Sequence, residues 1–335
     1  MQTQVETKSR FSAKSIGPLL RDNIIIVGII LIAIAVGIAR PNFISEANFR
    51  NLLSNTAVRF IIAVGVSGCL ITKGTDLSAG RVAGLAACLS AILLQKGDYA
   101  QKFYPNLAEL PILVVLLIVL AICAIIGAIN GSIIAFFKVP PFIATLGMMK
   151  ICRSVTQQCM QKASPTVPKA FLKIANARIG GEIILPILYW LALAAILHVV
   201  SKHTAFGRQV FAIGSNERTS KLSGVNVRAV KRRVYALMGA LVAITAVIQI
   251  ARIGSMDYAN AGSGYEMDAI AAVIIGGTSM SGGRGSVVGS VLGMLILAVM
   301  NNLLNLIGVP PFLREAFKGI IVIGAVLLQK KEKAS

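Results

Sequence analysis

An acid, an arginine and two hydroxyl side chains break into apolar sequence at Gly74-Thr75-Asp76-Leu77-Ser78-Ala79-Gly80-Arg81, between the apolar runs Ile61 to Ile71 and Val82 to Leu94. Ionisable and helix-breaking residues at membrane depth are kept where protein or a water-filled cavity surrounds them. Thr75, Asp76, Ser78 and Arg81 are therefore candidates to shape a path for a polar solute. Read locally, Asp76 also caps the helix that follows, its carboxylate accepting from free amides. A pairing of Asp76 with Arg81 stays open. Asn130, beside Gly131 in the long apolar run Pro111 to Phe137, suits either a tightly packed face or a polar lining of the same path.

A second stretch, Gly277-Thr278-Ser279-Met280-Ser281-Gly282-Gly283-Arg284, repeats Gly, Thr, Ser, Gly and Arg at matching positions, and Val-Pro-Pro-Phe follows each copy, at Val139 to Phe142 and at Val309 to Phe312. Interrupted segments at corresponding places in two halves point to a transporter's pathway. Chance likeness of two glycine-rich turns is the competing reading. Counting crossings puts both copies on one side and leaves the orientation of the repeat open.

Other chemistry is missing. No Gly-x-x-x-x-Gly-Lys-Ser/Thr loop occurs, so ATP, if it drives the protein, binds another polypeptide. No nucleophile–base arrangement or metal-ligand cluster stands out, which argues against an enzyme and calls for no cofactor and no metal. Cys69, Cys88, Cys123, Cys152 and Cys159 are odd in number and lie in or beside apolar runs, as small core residues do. Glu266 and Asp268 stand two apart before a span, as charge facing a helix N-terminus or as a polar rim at the outer mouth.

The elements that must position these groups belong to a membrane. The chain of 335 residues is 56% hydrophobic and 14% charged, against about 25% charged in soluble domains. Its net charge of +20 would suggest nucleic acid in a soluble chain. Here the basic residues gather in ends and connections, so no nucleic acid is expected and the bilayer is the partner. A basic segment, residues 1–23, precedes a first span over Ile24 to Ala39. Spans or partial spans follow over Leu52 to Thr72 with Arg59 snorkelling or paired inside it, Val82 to Gln95, and Pro111 to Phe137. The semi-apolar segment Phe142 to Met160, with Lys150, Arg153, Gln157 and Gln158, should be shielded from lipid. A loop from Gln161 to Glu182 leads to Ile183 to Val200. Val234 to Ala251, a short segment from Met267, Ser286 to Ile307 and Glu315 to Leu328 complete the set. The fold class is all-α, a polytopic protein with about ten transmembrane or partial-membrane helices, some interrupted. A single transmembrane domain spans 24–329, and 330–335 is a basic tail.

From Lys202 to Arg233 eight Lys or Arg face one acid, Glu217, which makes that connection cytoplasmic, with both termini on the same side. Lys162, Lys169, Lys173 and Arg178 break this bias, since parity puts their loop outside. Within the cytoplasmic connection, Asn216 should start and Gly224 should end a short helix over Glu217 to Leu222, exposed enough to enter another protein's groove.

Four stretches together resemble the sugar-import permeases of bacterial ABC transporters, the ribose, xylose, arabinose and galactoside group. They are Gly74 to Arg81, Ile129-Asn130-Gly131 with Pro141 to Gly147, Gly207 to Val227, and Asp268 to Gly277. The likeness covers nearly all of the chain beyond Pro41. Gly-Thr-Asp-Leu-Ser-Ala-Gly-Arg with Gly84 to Ala87 is most similar to the galactose/methyl galactoside branch, which implies galactose, glucose or their glycosides as cargo. Ribose, another pentose, a signalling sugar or a nucleoside is the alternative. The resemblance implies a type II ABC importer fold in the bacterial inner membrane and a homodimer. It also implies an ATPase subunit with two fused nucleotide-binding domains and an extracytoplasmic sugar-binding protein. Gly214, Ser215, Asn216, Ser223 and Gly224 would couple to that ATPase. A rival of another class, an ion-coupled secondary carrier, needs a membrane-embedded carboxylate, for which Asp76 is the candidate.

Overall fold

A computed structural model of the chain describes residues 34, 37–38, 41–95, 104–161, 167–180 and 183–332. The basic segment 1–23, most of the span expected over Ile24 to Ala39 and tail residues 333–335 lie outside the described residues, as do parts of the two polar loops. Two compact units are present, one of residues 46–298 and one of 1–45 with 299–335.

The first unit begins with α1 (Glu46–Ile71) and the half-length α2 (Ala79–Leu93), then α3 (Ile112–Phe136) and α4 (Pro141–Cys159). After a short α5 (Lys169–Asn176) and a two-residue hairpin, β1 (Arg178–Ile179) with β2 (Ile183–Ile184), come α6 (Leu185–His203), α7 (Ala205–Ser215) and α8 (Glu217–Leu222). The long α9 (Val227–Ile253), the short α10 (Tyr265–Ile275) and the start of α11 (Val287–Ile307) complete it. The second unit holds the 3-10 turn Pro41–Ile44, the rest of α11 and α12 (Pro311–Glu332). Among the described residues α1, α3, α6, α9 and α11 are long and apolar enough to cross a membrane. This is an all-helical, polytopic membrane protein, as composition required.

α9 is the spine, packing on α1, α2, α3, α5 and α7. It runs antiparallel to α1, since Arg252 near its end donates to the Ser54 carbonyl near the start of α1, at 2.9 Å. It is also antiparallel to α3. There Gly127 lies against the Tyr235 carbonyl and Gly239 against that of Cys123, so small residues let the two backbones approach. Phe60 of α1 stacks on Trp190 of α6, ring centroids 4.3 Å apart.

Lengths in chain order show the repeat that the motifs hinted at. Helices α1 to α4 have 26, 15, 25 and 19 residues, and α9 to α12 have 27, 11, 21 and 22. Each set is a long helix, an incomplete one, a long one and another. The fourth helix in each starts at the second proline of Val-Pro-Pro-Phe, Pro141 or Pro311. Because α1 and α9 are antiparallel, the repeat is inverted, the orientation the sequence left open. The eight-residue likeness is a false partner. Gly74 to Arg81 joins the long helix to the incomplete one, whereas Gly277 to Arg284 leaves the incomplete one. The true counterpart of the first connection is 254–264.

Two expectations need correction. Gln161 to Glu182 is not a plain loop: α5 buries Phe171 and Ala175, with Lys169 and Lys173 turned out. Asn176 donates to the Ala251 carbonyl at 2.8 Å, so α5 sits at the end of α9 opposite the basic connection. Parity thus holds and the loop's lysines break the charge bias. On α4 the chain itself buries only Thr145, Cys152 and Thr156, so its own residues do not cover Lys150, Arg153 and Gln158. Finally, α9 begins at Val227, so Arg228 and Lys231 to Arg233 form its first turns instead of a loop.

Candidate functional site

The connection after α1 turns at Lys73 and threads back through the bundle as irregular backbone. Buried away from water, such a segment must find partners for its peptide groups. Three helices supply them. Tyr235 of α9 donates its hydroxyl to the Thr75 carbonyl at 3.1 Å. Thr145 Oγ1 of α4 accepts from the Leu77 amide at 3.2 Å. Asn130 of α3 donates Nδ2 to Ser78 Oγ at 3.0 Å, and Ser78 Oγ donates onward to Asp76 Oδ1 at 2.6 Å. The Ser78 amide also reaches Asp76 Oδ1, at 2.9 Å. Asp76 therefore caps α2 as expected, from two residues before the N-cap. It is 3% exposed, with Oδ1 held by the Ser78 amide and hydroxyl at the start of α2. Asn130 Oδ1 is buried with no partner.

Arg81 does not pair with Asp76. It crosses to the inverted counterpart of its own connection, donating to the Ala259 carbonyl at 3.0 Å and to Ser263 Oγ at 3.1 Å. There the N-termini of α2 and α10 meet, with Gly80 so close to the Glu266 carboxylate and the Gly262 carbonyl that no side chain would fit. Glu266 and Asp268 are both buried in the first turn of α10. They form part of this crossing rather than a rim at an open mouth. Arg59 of α1 meets Asp268 through Nε at 3.2 Å and lies over the Tyr265 ring, 5.4 Å from its centroid. Of the two roles open to Arg59, pairing is the one observed. Two helix N-termini, two acids and two arginines thus sit where both incomplete helices begin, an arrangement able to hold polar groups inside an apolar bundle.

The basic connection folds as expected at its tip. Asn216 Oδ1 accepts from the Thr219 amide at 3.1 Å to start α8, and Gly224, at φ +82°, ends it. Lys231 clamps Glu217 at 2.7 Å, fixing α8 on α9, and Leu222 is left 82% exposed. At the inner end of α7, Gly214 packs onto the Ile71 carbonyl and the Gly283 amide so tightly that a methyl group would overlap both. The Gly283 amide itself donates to the Ile71 carbonyl at 3.0 Å. Gly282 and Gly283 adopt left-handed backbone, at φ +78° and +74°, to make that approach.

The residues expected on the path, Thr75, Asp76, Ser78 and Asn130, are therefore brought together, and Arg81 faces the other half. Gly214 and Ser215 meet the turn at Gly282 and Gly283, while Asn216, Ser223 and Gly224 shape the projecting helix. The sequence reading missed Tyr235, Thr145 and Asp257. Asp257 has a legible signal: it stands four residues past the end of α9, much as Asp76 stands five past the end of α1.

Comparison with known proteins finds relatives over nearly the whole chain. The family described as branched-chain amino acid transport system / permease component matches residues 48–326. The galactose/methyl galactoside import permease protein of Escherichia coli K12 is 41% identical over 338 residues, 97% of this chain and 99% of that one. Its namesake in Haemophilus influenzae is 40% identical over 324 residues, 94% and 96% of the two chains. The ribose import permease protein of Escherichia coli K12 is 37% identical over 343 residues, 99% and 100%. No solved structure matches the chain.

Proposed function

The chain belongs to this family of transport-system permease components, and from that premise we propose that it is the membrane subunit of an ATP-driven importer of galactose-type monosaccharides. The observation that carries the proposal is end-to-end likeness, 41% over 97% of the chain, to permeases named for galactose and methyl galactoside import. Ribose is the second cargo, supported by the 37% relative.

In this reading a separate ATPase subunit, with two fused nucleotide-binding domains, receives α8, and a binding protein outside the inner membrane delivers the sugar. The polar exposed turn Asn216 to Gly224 is the coupling element, with the apolar Leu222 as its exposed tip. Gly214 and Ser215 pass its displacement to the ends of α1 and α10. Differential contact of the ATPase with α8 in its open and closed states then biases the bundle. Thr75, Asp76, Ser78, Arg81 and Asn130 border the path. The uncovered α4 face, with Lys150, Arg153 and Gln158, suits a second copy of the chain or a water-filled cavity between copies. Both termini are assigned to the cytoplasm with the basic connection.

The test is purification of the tagged chain from native membranes, identification of what accompanies it, and uptake by the reconstituted complex. ATP-dependent accumulation of galactose, with a duplicated-domain ATPase in the complex, is expected. Accumulation of ribose alone would change the cargo. ATP-independent uptake by the chain by itself, collapsing with an uncoupler, would replace the proposal with an ion-coupled carrier.

A further inference from the structure

Where the basic connection meets the ends of α1 and α3, a cavity of about 790 Å³ opens. Its walls carry Lys73, Lys138, Lys221, Arg228 and Lys231 against a single acid, Glu217, which Lys231 already holds. Among the described residues Lys73, Lys138 and Lys221 meet no carboxylate within ion-pair distance, and Arg228 lies over the Phe136 ring, 5.5 Å from its centroid. The opposite wall is apolar, formed by Ile134, Val139, Pro140 and Pro141. Beside it Phe137 and Phe142 stand 77% and 57% exposed, at the end of α3 and the start of α4, and extend the apolar surface.

Lys73 and Lys138 share a second property. Among the described residues they alone, glycines aside, have positive φ, +62° and +56°. Each follows the last turn of a long helix, a position where glycine adopts this conformation without strain. An ammonium group is placed on the cavity at both positions where glycine would serve the backbone better.

We propose that this cavity binds the headgroup of an anionic phospholipid. Three lysines without a carboxylate partner among the described residues, beside Arg228 on its aromatic ring, call for a phosphate-bearing anion, and the apolar wall with its exposed aromatic flank calls for an amphiphile. An acidic protein segment would answer the first requirement but leave that wall against polar groups. Basic pockets at the cytoplasmic ends of membrane helices hold anionic headgroups through this combination. The inference does not depend on which sugar is carried.

The experiment uses the full chain purified in a mild non-ionic detergent and titrated with fluorescent phosphatidylglycerol, with phosphatidylcholine and glycerol phosphate as separate probes. The test variant is Lys73→Gly with Lys138→Gly, which removes two charges while relieving the backbone at both positions, so loss of binding cannot come from a strained fold. Saturable binding of phosphatidylglycerol is expected, weaker by about thirty-fold in the variant, since each basic group near the surface contributes about fivefold. Equal binding of phosphatidylcholine, or an unchanged affinity in the variant, would overturn the proposal. Glycerol phosphate binding as tightly as the lipid would make the site one for a free phosphate ester and overturn the lipid assignment. If phosphatidylglycerol fails to bind and the ATPase subunit shields Lys73 and Lys138 from acylation in the complex, the occupant is an acidic protein segment and the lipid is excluded.

Discussion

Asp76 and Asp257 make the same turn in oppositely directed halves of the repeat. Each accepts through Oδ1 from the amide two residues on, at 2.9 Å, Asp76 from Ser78 and Asp257 from Ala259. Arg81, five residues after the first, bonds the backbone of the second turn. Their surroundings differ, Asp76 being buried and Asp257 exposed. The two connections are thus one device used twice, tied together by one arginine, and each can be tested separately.

At Asp257, hydrogen bonds from Asn260 Nδ2 and the Ala259 amide hold the carboxyl below its ordinary range. A carboxyl depressed in the folded state stabilises above its unfolded pKa and loses that contribution as pH falls through the folded value. The thermal midpoint of wild type should therefore exceed that of Asp257→Ala by a constant margin above about pH 5, and the margin should shrink below about pH 4. A margin that grows in acid contradicts this account.

Asn130→Ala removes the donor to Ser78 Oγ. The hydroxyl can still donate to Asp76, so the expected loss is that of one buried hydrogen bond, about 1–2 kcal/mol. The midpoint of unfolding in detergent reads the loss, and labelling of a cysteine placed at Thr75 reads loosening of the turn. Unchanged stability together with unchanged labelling would show that Asn130 does not hold the connection.

Arg59 and Asp268 join α1 to α10. Removing either charge alone should destabilise by about 1–3 kcal/mol, moderated because Arg59 is partly exposed to its surroundings. Arg59→Met with Asp268→Leu should cost less than the two single changes added together. A double-mutant cycle in thermal unfolding measures that coupling, and strict additivity would remove the pair from the account.

Gly214→Ala puts a methyl group where the Ile71 carbonyl and Gly283 amide already lie. Overpacking of this kind costs about 1–3 kcal/mol or shifts the backbone. In the proposed importer it should leave assembly intact and lower sugar uptake per ATP hydrolysed, because α7 no longer seats on the second turn. Gly224→Ala, in open space at positive φ, should instead fray α8 and weaken attachment of the ATPase. Normal uptake per ATP in the Gly214 variant would place coupling elsewhere.

Helix existence, the incomplete second helix and the capped α8 were legible because each rests on local rules: apolar length, a polar break, an asparagine before and a glycine after. Burial of the polar break was legible too, from Asp76 and Arg81 standing in apolar sequence. The partners were not. Tyr235 is 160 residues from Thr75, and nothing near Tyr235 distinguishes it from any other aromatic on a buried helix.

By itself, the sequence determined that this is a helical membrane protein with polar, interrupted segments inside it and one basic side, since transfer of apolar and charged groups between water and lipid depends on composition and order along the chain. Only the tertiary structure decided which segments correspond. Gly277 to Arg284 looks like Gly74 to Arg81, yet the counterpart is 254–264, where Asp257 repeats the turn of Asp76 with almost no shared residue types. Hydrogen-bond geometry and helix direction define that equivalence, and both are set by packing between distant segments, which leaves no local mark on residue order.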